Sequence, residues 1–236
     1  MNFETALFIG LIALGIVLAK LPFVSRPFDW METFFHELSH GLVATVTFGW
    51  MKRIKLNWDG SGYCVTRGGI RIFVLLAGYL GAVIAGMAIY LVGWEIGNGT
   101  LTAVDQVYVL RILIGLFAAV TIFSVRDPIT LLIMILMICA LGLPIYYANL
   151  LHHFPWYLEF VGLYIMKGAL IAPTHLIDGR HVGDGAELAN ITFIPEIVWV
   201  VLWLIFAAGA LSYLYLLNLY QNKAEAWFVL TQSLPF

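Results

Sequence analysis

The stretch Phe35-His36-Glu37-Leu38-Ser39-His40-Gly41 places two histidines and a glutamate inside a very apolar sequence. Of the 236 residues, 62% are hydrophobic and 11% are charged. Soluble domains carry about 25% charged residues, so the composition indicates an integral, multi-pass membrane protein. Ionisable side chains are costly in such a protein and usually serve a function. The net charge of −2 implies no basic surface for nucleic acid.

Long apolar runs predict an all-α polytopic fold with six to seven transmembrane helices, because about 20 apolar residues cross a bilayer. The predicted spans cover residues 5–24, 29–50, 70–92, 107–124, 129–148, 158–171 and 194–220. Pro22 and Pro27 are expected to break the helix between the first two spans. Asp29 is then the expected N-cap of the second helix, with Glu32 completing a capping box.

Residues 52–67 differ in kind from the apolar runs around them. Ile54, Leu56 and Trp58 alternate with polar neighbours, and the turn-forming residues 59–62 follow. This pattern predicts a small β-hairpin directly after the helix that carries the motif. Because lipid cannot satisfy an open strand edge, the hairpin should lie at the membrane interface or line a cavity.

The spacing His36-Glu37-x-x-His40 is a signature of zinc hydrolases when it lies on a helix. Residues four apart share one helix face, so the two imidazoles can bind one Zn²⁺ ion. Glu37 lies one position round the helix, where it can act as general acid and base for a zinc-activated water. The hydrolysis that these residues predict therefore requires a wet pocket within the membrane.

A catalytic zinc usually has three protein ligands and an open position. The third ligand is expected in the segment 173–184, which follows an apolar run and contains two carboxylates and two histidines. Asp178 is the first choice, Asp184 is the alternative, and His175 is the third. The same residue types also suit a loop in water, or a helix cap at Asp184.

Three glycines, Gly78, Gly81 and Gly86, lie near one face of the predicted helix over residues 70–92. Small residues permit close approach of a neighbouring helix. Ordinary packing between membrane helices explains all three at this stage.

The chain resembles the site-2 protease family of intramembrane zinc metalloproteases, in the compact branch without a PDZ domain. The zinc helix of that family is similar to residues 35–41, and its hairpin followed by a glycine-rich helix is similar to residues 62–69 and 77–81. Residues 173–179 have the spacing of its later Pro-x-x-x-Leu-Asp-Gly motif, which implies Asp178 as third ligand. Gly183-Asp184-Gly185-Ala186 resembles a Ser-Asp-Ala-like stretch of the compact branch, which implies Asp184 instead. Leu170 stands where the family has an asparagine that positions substrate or oxyanion.

The resemblance implies one membrane-embedded, metalloprotease-like domain over residues 1–236. Its implied activity is hydrolysis of peptide bonds in membrane-spanning protein substrates, with zinc as cofactor and the lipid bilayer as surroundings. The alternative is a non-proteolytic protein of the same fold that binds a metal or serves as a scaffold. That alternative keeps the ligands and does not need Glu37.

Overall fold

A computed structural model describes residues 2–176 and 182–232, and this part of the chain is mostly helical. The helices are α1 (Phe3–Leu18), α2 (Pro22–Val46), α3 (Arg71–Gly97), α4 (Ala103–Ser124), α5 (Pro128–Tyr146), α6 (Ala148–Leu151), α7 (Phe154–Ile171), α8 (Asp184–Thr192), α9 (Glu196–Tyr220) and α10 (Lys223–Gln232). The strands are β1 (Trp50–Leu56) and β2 (Gly62–Arg67), and a 3₁₀ turn covers Ala172–Leu176. The predicted helical fold with a hairpin after the motif helix is confirmed.

Within the described ranges, four helices are long and apolar enough to cross a membrane, namely α3, α4, α5 and α9. A fifth span results if α1 and α2, which meet at a bend of 113°, are taken together. The chain is therefore a multi-pass membrane protein. This count is below the expected six to seven because α1 has only 16 residues, α2 carries the polar motif, and α7 contains Glu159 and Lys167.

The motif helix begins earlier than the sequence predicted. Helix α2 starts at Pro22, which has no N–H to leave unpaired in a first turn, and it includes Pro27. Asp29 is consequently not an N-cap. Its carboxylate instead accepts hydrogen bonds from the hydroxyls of Tyr164 (2.7 Å) and Ser25 (2.8 Å). The predicted capping box with Glu32 was wrong because α2 already runs through Asp29, whose carboxylate binds one hydroxyl of its own helix and one of α7.

Helix α7 lies at the centre of the bundle and packs most extensively against α3, with α1, α2 and α9 around it. The backbones of α3 and α7 touch where Gly86 faces Gly162, and a Cβ on Gly86 would lie 2.7 Å from the Gly162 carbonyl oxygen. A Cβ on Gly81 would overlap the Ser39 hydroxyl of α2. The glycines of α3 thus allow both α2 and α7 to pack closely against α3.

The two faces of α2 have different neighbours. Phe34 stacks on Phe117 of α4, with ring centroids 4.2 Å apart, and is fully buried. The motif histidines point the other way, towards α3 and α8. Burial of the aromatic face against α4 therefore fixes which side of α2 can carry the chemistry.

The hairpin is antiparallel and pairs Ile54 with Cys64 and Leu56 with Gly62. Ile54 and Leu56 are fully buried, which accounts for the alternation seen in the sequence. The Leu56 N–H donates to the Thr130 hydroxyl of α5 at 3.0 Å, and this hydroxyl donates to the Leu56 carbonyl. Helix α5 thus covers the end of β1, and both strands pack against α2.

Candidate metal centre

His36 and His40 lie one turn apart on the inner face of α2, as the helical spacing requires. Their Nε2 atoms are 3.1 Å apart, and their ring centroids are 4.8 Å apart. The side chains are 18% and 9% exposed respectively. The two imidazoles therefore aim one nitrogen each at a common point on the edge of a cavity.

Asp184 joins the histidines from the first residue of α8. Gly183 precedes it with φ of 111°, a conformation that glycine adopts without strain, and this turn directs the carboxylate at α2. The Oδ2 atom lies 3.3 Å from His36 Nε2 and 3.2 Å from His40 Nε2. Burial alone would raise the pKa of the Asp184 carboxyl, but hydrogen bonds from His36 and His40, when their rings carry a proton on Nε2, outweigh it and hold that pKa below its ordinary value.

These three atoms have the composition and spacing of a zinc site. Among the described residues, two imidazole nitrogens and one carboxylate oxygen form a cluster of potential metal ligands. All three atoms lie within 4.8 Å of one another. Ligands at 2.0–2.1 Å in a tetrahedron lie about 3.3 Å apart, and the observed separations are 3.1 to 3.3 Å. Three lone pairs at these distances repel one another unless a proton or a metal cation lies between them.

A hydrogen bond fixes which nitrogen of His40 is free for a metal. Its Nδ1 lies 2.6 Å from the carbonyl oxygen of Val74 in α3. Since a carbonyl only accepts, Nδ1 carries the proton, and the lone pair of the neutral ring is on Nε2. Such outer contacts orient metal-binding imidazoles. Tyr79, one turn further along α3, packs edge-on against His36 with ring centroids 4.6 Å apart.

Gly78 lies between these two α3 residues and directly faces the histidines. A Cβ at this position would lie 2.5 Å from His36 Cε1, 2.6 Å from His36 Nε2 and 2.6 Å from His40 Cε1. Real Cβ atoms essentially never make contacts under 3.0 Å, so both rings would have to shift. The absence of a side chain at Gly78 is therefore what makes room for both rings.

Glu37 lies at the same cavity, next to the histidines, and is 8% exposed. The backbone N–H of Cys64 in β2 faces the Glu37 carboxylate. This contact ties the hairpin to the motif helix. Burial, with a smaller contribution from the nearby Glu37 carboxylate, raises the pKa of the Cys64 thiol to about 12, so Cys64 stays a neutral thiol beside the site.

The cavity over the three metal-binding atoms has a volume of about 470 Å³. Its walls come from α2, from residues 62–66 of the hairpin, from the start of α3 and from α8. Arg71 of α3 and Glu187 of α8 form an ion pair at its rim. The arrangement offers metal ligands, a carboxylate and a strand edge within one polar opening.

The structure brings together His36, Glu37, His40 and the alternative ligand Asp184. Asp178, the first choice from the sequence, lies outside the described residues. His175 is exposed in the 3₁₀ turn and is not part of the cluster. The sequence reading assigned no role at the site to Tyr79 and treated Gly78 as ordinary packing. Their sequence signal was their place within residues 77–81, the segment that resembles the glycine-rich helix of the family.

The family comparison agrees with this geometry. The model of the Peptidase M50B-like family matches residues 7–214. The chain belongs to this family. The expected likeness to site-2 proteases is thereby confirmed, and the protein is a metallopeptidase-like membrane protein with a possible metal site at His36, His40 and Asp184. No curated protein and no solved structure matches the chain.

Proposed function

We propose that this Peptidase M50B-like protein is an intramembrane zinc metalloprotease that hydrolyses peptide bonds of membrane-spanning substrates. One observation carries the proposal. The Nε2 atoms of His36 and His40 and Oδ2 of Asp184 converge within 3.3 Å of one another, beside the Glu37 carboxylate. Family membership and the multi-pass fold support the same conclusion.

His36, His40 and Asp184 are the proposed zinc ligands, and Asp178 remains the alternative to Asp184. Zinc, when bound, polarises a carbonyl group and lowers the pKa of a coordinated water to roughly 7. The ligand set favours zinc because imidazole nitrogens suit this ion and hard oxygen-binding cations prefer all-oxygen sites. The Val74 carbonyl keeps the His40 lone pair on Nε2, so this ligand is oriented before a metal arrives.

Glu37 is the proposed general base and acid. It adjoins the ligands on α2, and its carboxylate is buried and faces the Cys64 N–H. At its oxygen atoms it takes a proton from the attacking water and later gives that proton to the leaving nitrogen.

The hairpin is proposed to hold the substrate. A peptide bond within a helix is shielded, so the substrate must be extended before attack. Residues 62–66 of β2 border the cavity, and an extended peptide can add to such a strand through main-chain hydrogen bonds.

The test uses the whole chain, loaded with zinc in detergent, and a reporter that contains a transmembrane helix. Glu37→Gln should retain one zinc per chain and reduce cleavage by about 100-fold or more, as loss of a general base does. Glu187→Gln, at the rim of the same cavity, is the matched control and should keep most of the activity. If Glu37→Gln cleaves at the wild-type rate, the assignment is wrong. Bound zinc without any cleavage would favour the non-proteolytic alternative.

A further inference from the structure

The edge of β2 that faces α2 leads past the candidate site. The Cys64 N–H points to Glu37, not to Ile54, its partner in the ladder. This N–H therefore belongs to the edge that β1 leaves unpaired. The described sheet has two strands, so no strand of residues 2–176 or 182–232 covers this edge. A peptide laid along it would pass directly over Glu37.

A second cavity, of about 330 Å³, adjoins the first at the start of β2. The two share His36, Glu37, Gly62 and Tyr79, so the same peptide would border both. We call the second cavity the Glu32 pocket, after the residue that distinguishes it. Successive side chains of a strand are about 3.3 Å apart and alternate in direction, so a side chain within about three residues of the scissile bond would reach this pocket.

The walls of the Glu32 pocket leave room for a long side chain. Ala169 and Ala172, at the end of α7 and the start of the 3₁₀ turn, contribute only small side chains. Thr33 and Ser61 also line this pocket, but their hydroxyls donate to the Gly60 carbonyl and the Asp59 carboxylate, which leaves Glu32 as the acceptor. A Cβ on Gly168 would overlap the Glu32 carboxylate, which shows that this carboxylate lies flat against the wall.

The Glu32 carboxyl group has only a distant partner within the protein. Its Oε2 lies 3.9 Å from Lys167 Nζ, beyond hydrogen-bond distance. Lys167 Nζ is held instead over the ring of Tyr164, 3.6 Å from the ring centroid. Glu32 thus keeps lone pairs for a hydrogen-bond donor that enters the pocket, and partial burial strengthens such a contact.

We infer that the Glu32 pocket is a subsite for a basic side chain, lysine or arginine, close to the scissile bond of the substrate. The inference rests on the proposed function for the substrate class. A basic side chain is long enough to reach into the pocket. Its terminal N–H groups supply the hydrogen-bond donor that Lys167 does not bring within reach of Glu32. Its aliphatic stem would lie along the small residues of α7 while its charged end reaches the carboxylate.

The first experiment compares reporters that differ in one residue at each of the three positions on either side of the scissile bond. Lysine is compared with methionine, which has similar length and no charge. At one position, lysine should raise kcat/KM about ten-fold or more, as expected for a charge-assisted hydrogen bond. Glu32→Gln should bring the lysine-to-methionine ratio to within about two-fold, and Lys167→Met, which removes the competing cation, should raise it.

Glu95→Gln is the matched control, since Glu95 pairs with Lys223 far from both cavities and should leave the ratio unchanged. An equal ratio in wild type and Glu32→Gln, or no position with a lysine preference, overturns the subsite. Binding of the same peptides to zinc-loaded Glu37→Gln separates the two proposals. One outcome is that the wild-type protein cleaves no reporter, while the lysine peptide still binds about ten-fold more tightly than the methionine peptide and loses this advantage in Glu32→Gln. In that case the proposed function fails and the subsite stands.

Discussion

Gly78→Ala should disrupt the metal centre without touching a ligand. The added Cβ would lie 2.5 to 2.6 Å from three ring atoms of His36 and His40. Ordinary contact begins at 3.4 Å, so the rings must move by about 0.9 Å. Metal–ligand distances tolerate deviations of only about 0.2 Å. The substitution should therefore displace both imidazoles well beyond the range in which they can share one ion.

The expected loss of zinc affinity is about 100-fold, or 2.7 kcal/mol at 1.36 kcal/mol for each factor of ten. Substitution of groups that orient metal ligands typically lowers metal affinity by about 10- to 100-fold, and the value expected here is at the upper end of that range. The affinity is measured by competition with a chelator of known zinc affinity, with metal content determined by mass spectrometry. Gly115→Ala is the matched control, because a Cβ on Gly115 of α4 meets nothing within 4 Å.

The thermal midpoint of the metal-free protein separates ring displacement from general unfolding. It should fall by no more than a few degrees if the rings move rather than the helices. A Gly78→Ala protein whose zinc affinity stays within about three-fold of wild type would refute the argument. That outcome would mean that α3 moves away from α2 and leaves the two histidines in place.

Further predictions concern the third ligand, the hairpin and the helix packing. Asp184→Asn should lower zinc affinity at least about ten-fold, whereas Asp178→Asn should change it little; equilibrium dialysis with zinc tests both, and the reverse order would assign Asp178. Because the pKa of Cys64 is raised to about 12 from an ordinary 9.0, about a thousand-fold less thiolate is present near neutral pH. Cys64 in a Cys139→Ser background should therefore react with iodoacetamide far more slowly than after unfolding in detergent, and equal rates would contradict its burial. Gly162→Leu should lower the thermal midpoint by at least about 5 °C, since it forces α7 away from α3; an unchanged midpoint would show that these backbones do not touch.

The local features of the fold could be predicted from the sequence. Apolar runs marked most of the helices, and alternation at Ile54 and Leu56 marked the hairpin, because both patterns depend on residues close in sequence. The beginning of α2 could not be predicted in this way. Asp29 has the chemistry of an N-cap, but Tyr164, more than 130 residues later, binds its carboxylate.

The sequence by itself determined that His36, Glu37 and His40 share one helix within a multi-pass membrane protein, because helical periodicity alone places residues four apart on one face. It also predicted a third ligand within the segment 173–184. Only the tertiary structure placed Asp184 within 3.3 Å of both histidines and Gly78 against their rings. Those positions depend on how α3 and α8 pack on α2, and close packing between distant segments has no periodic signal in the chain.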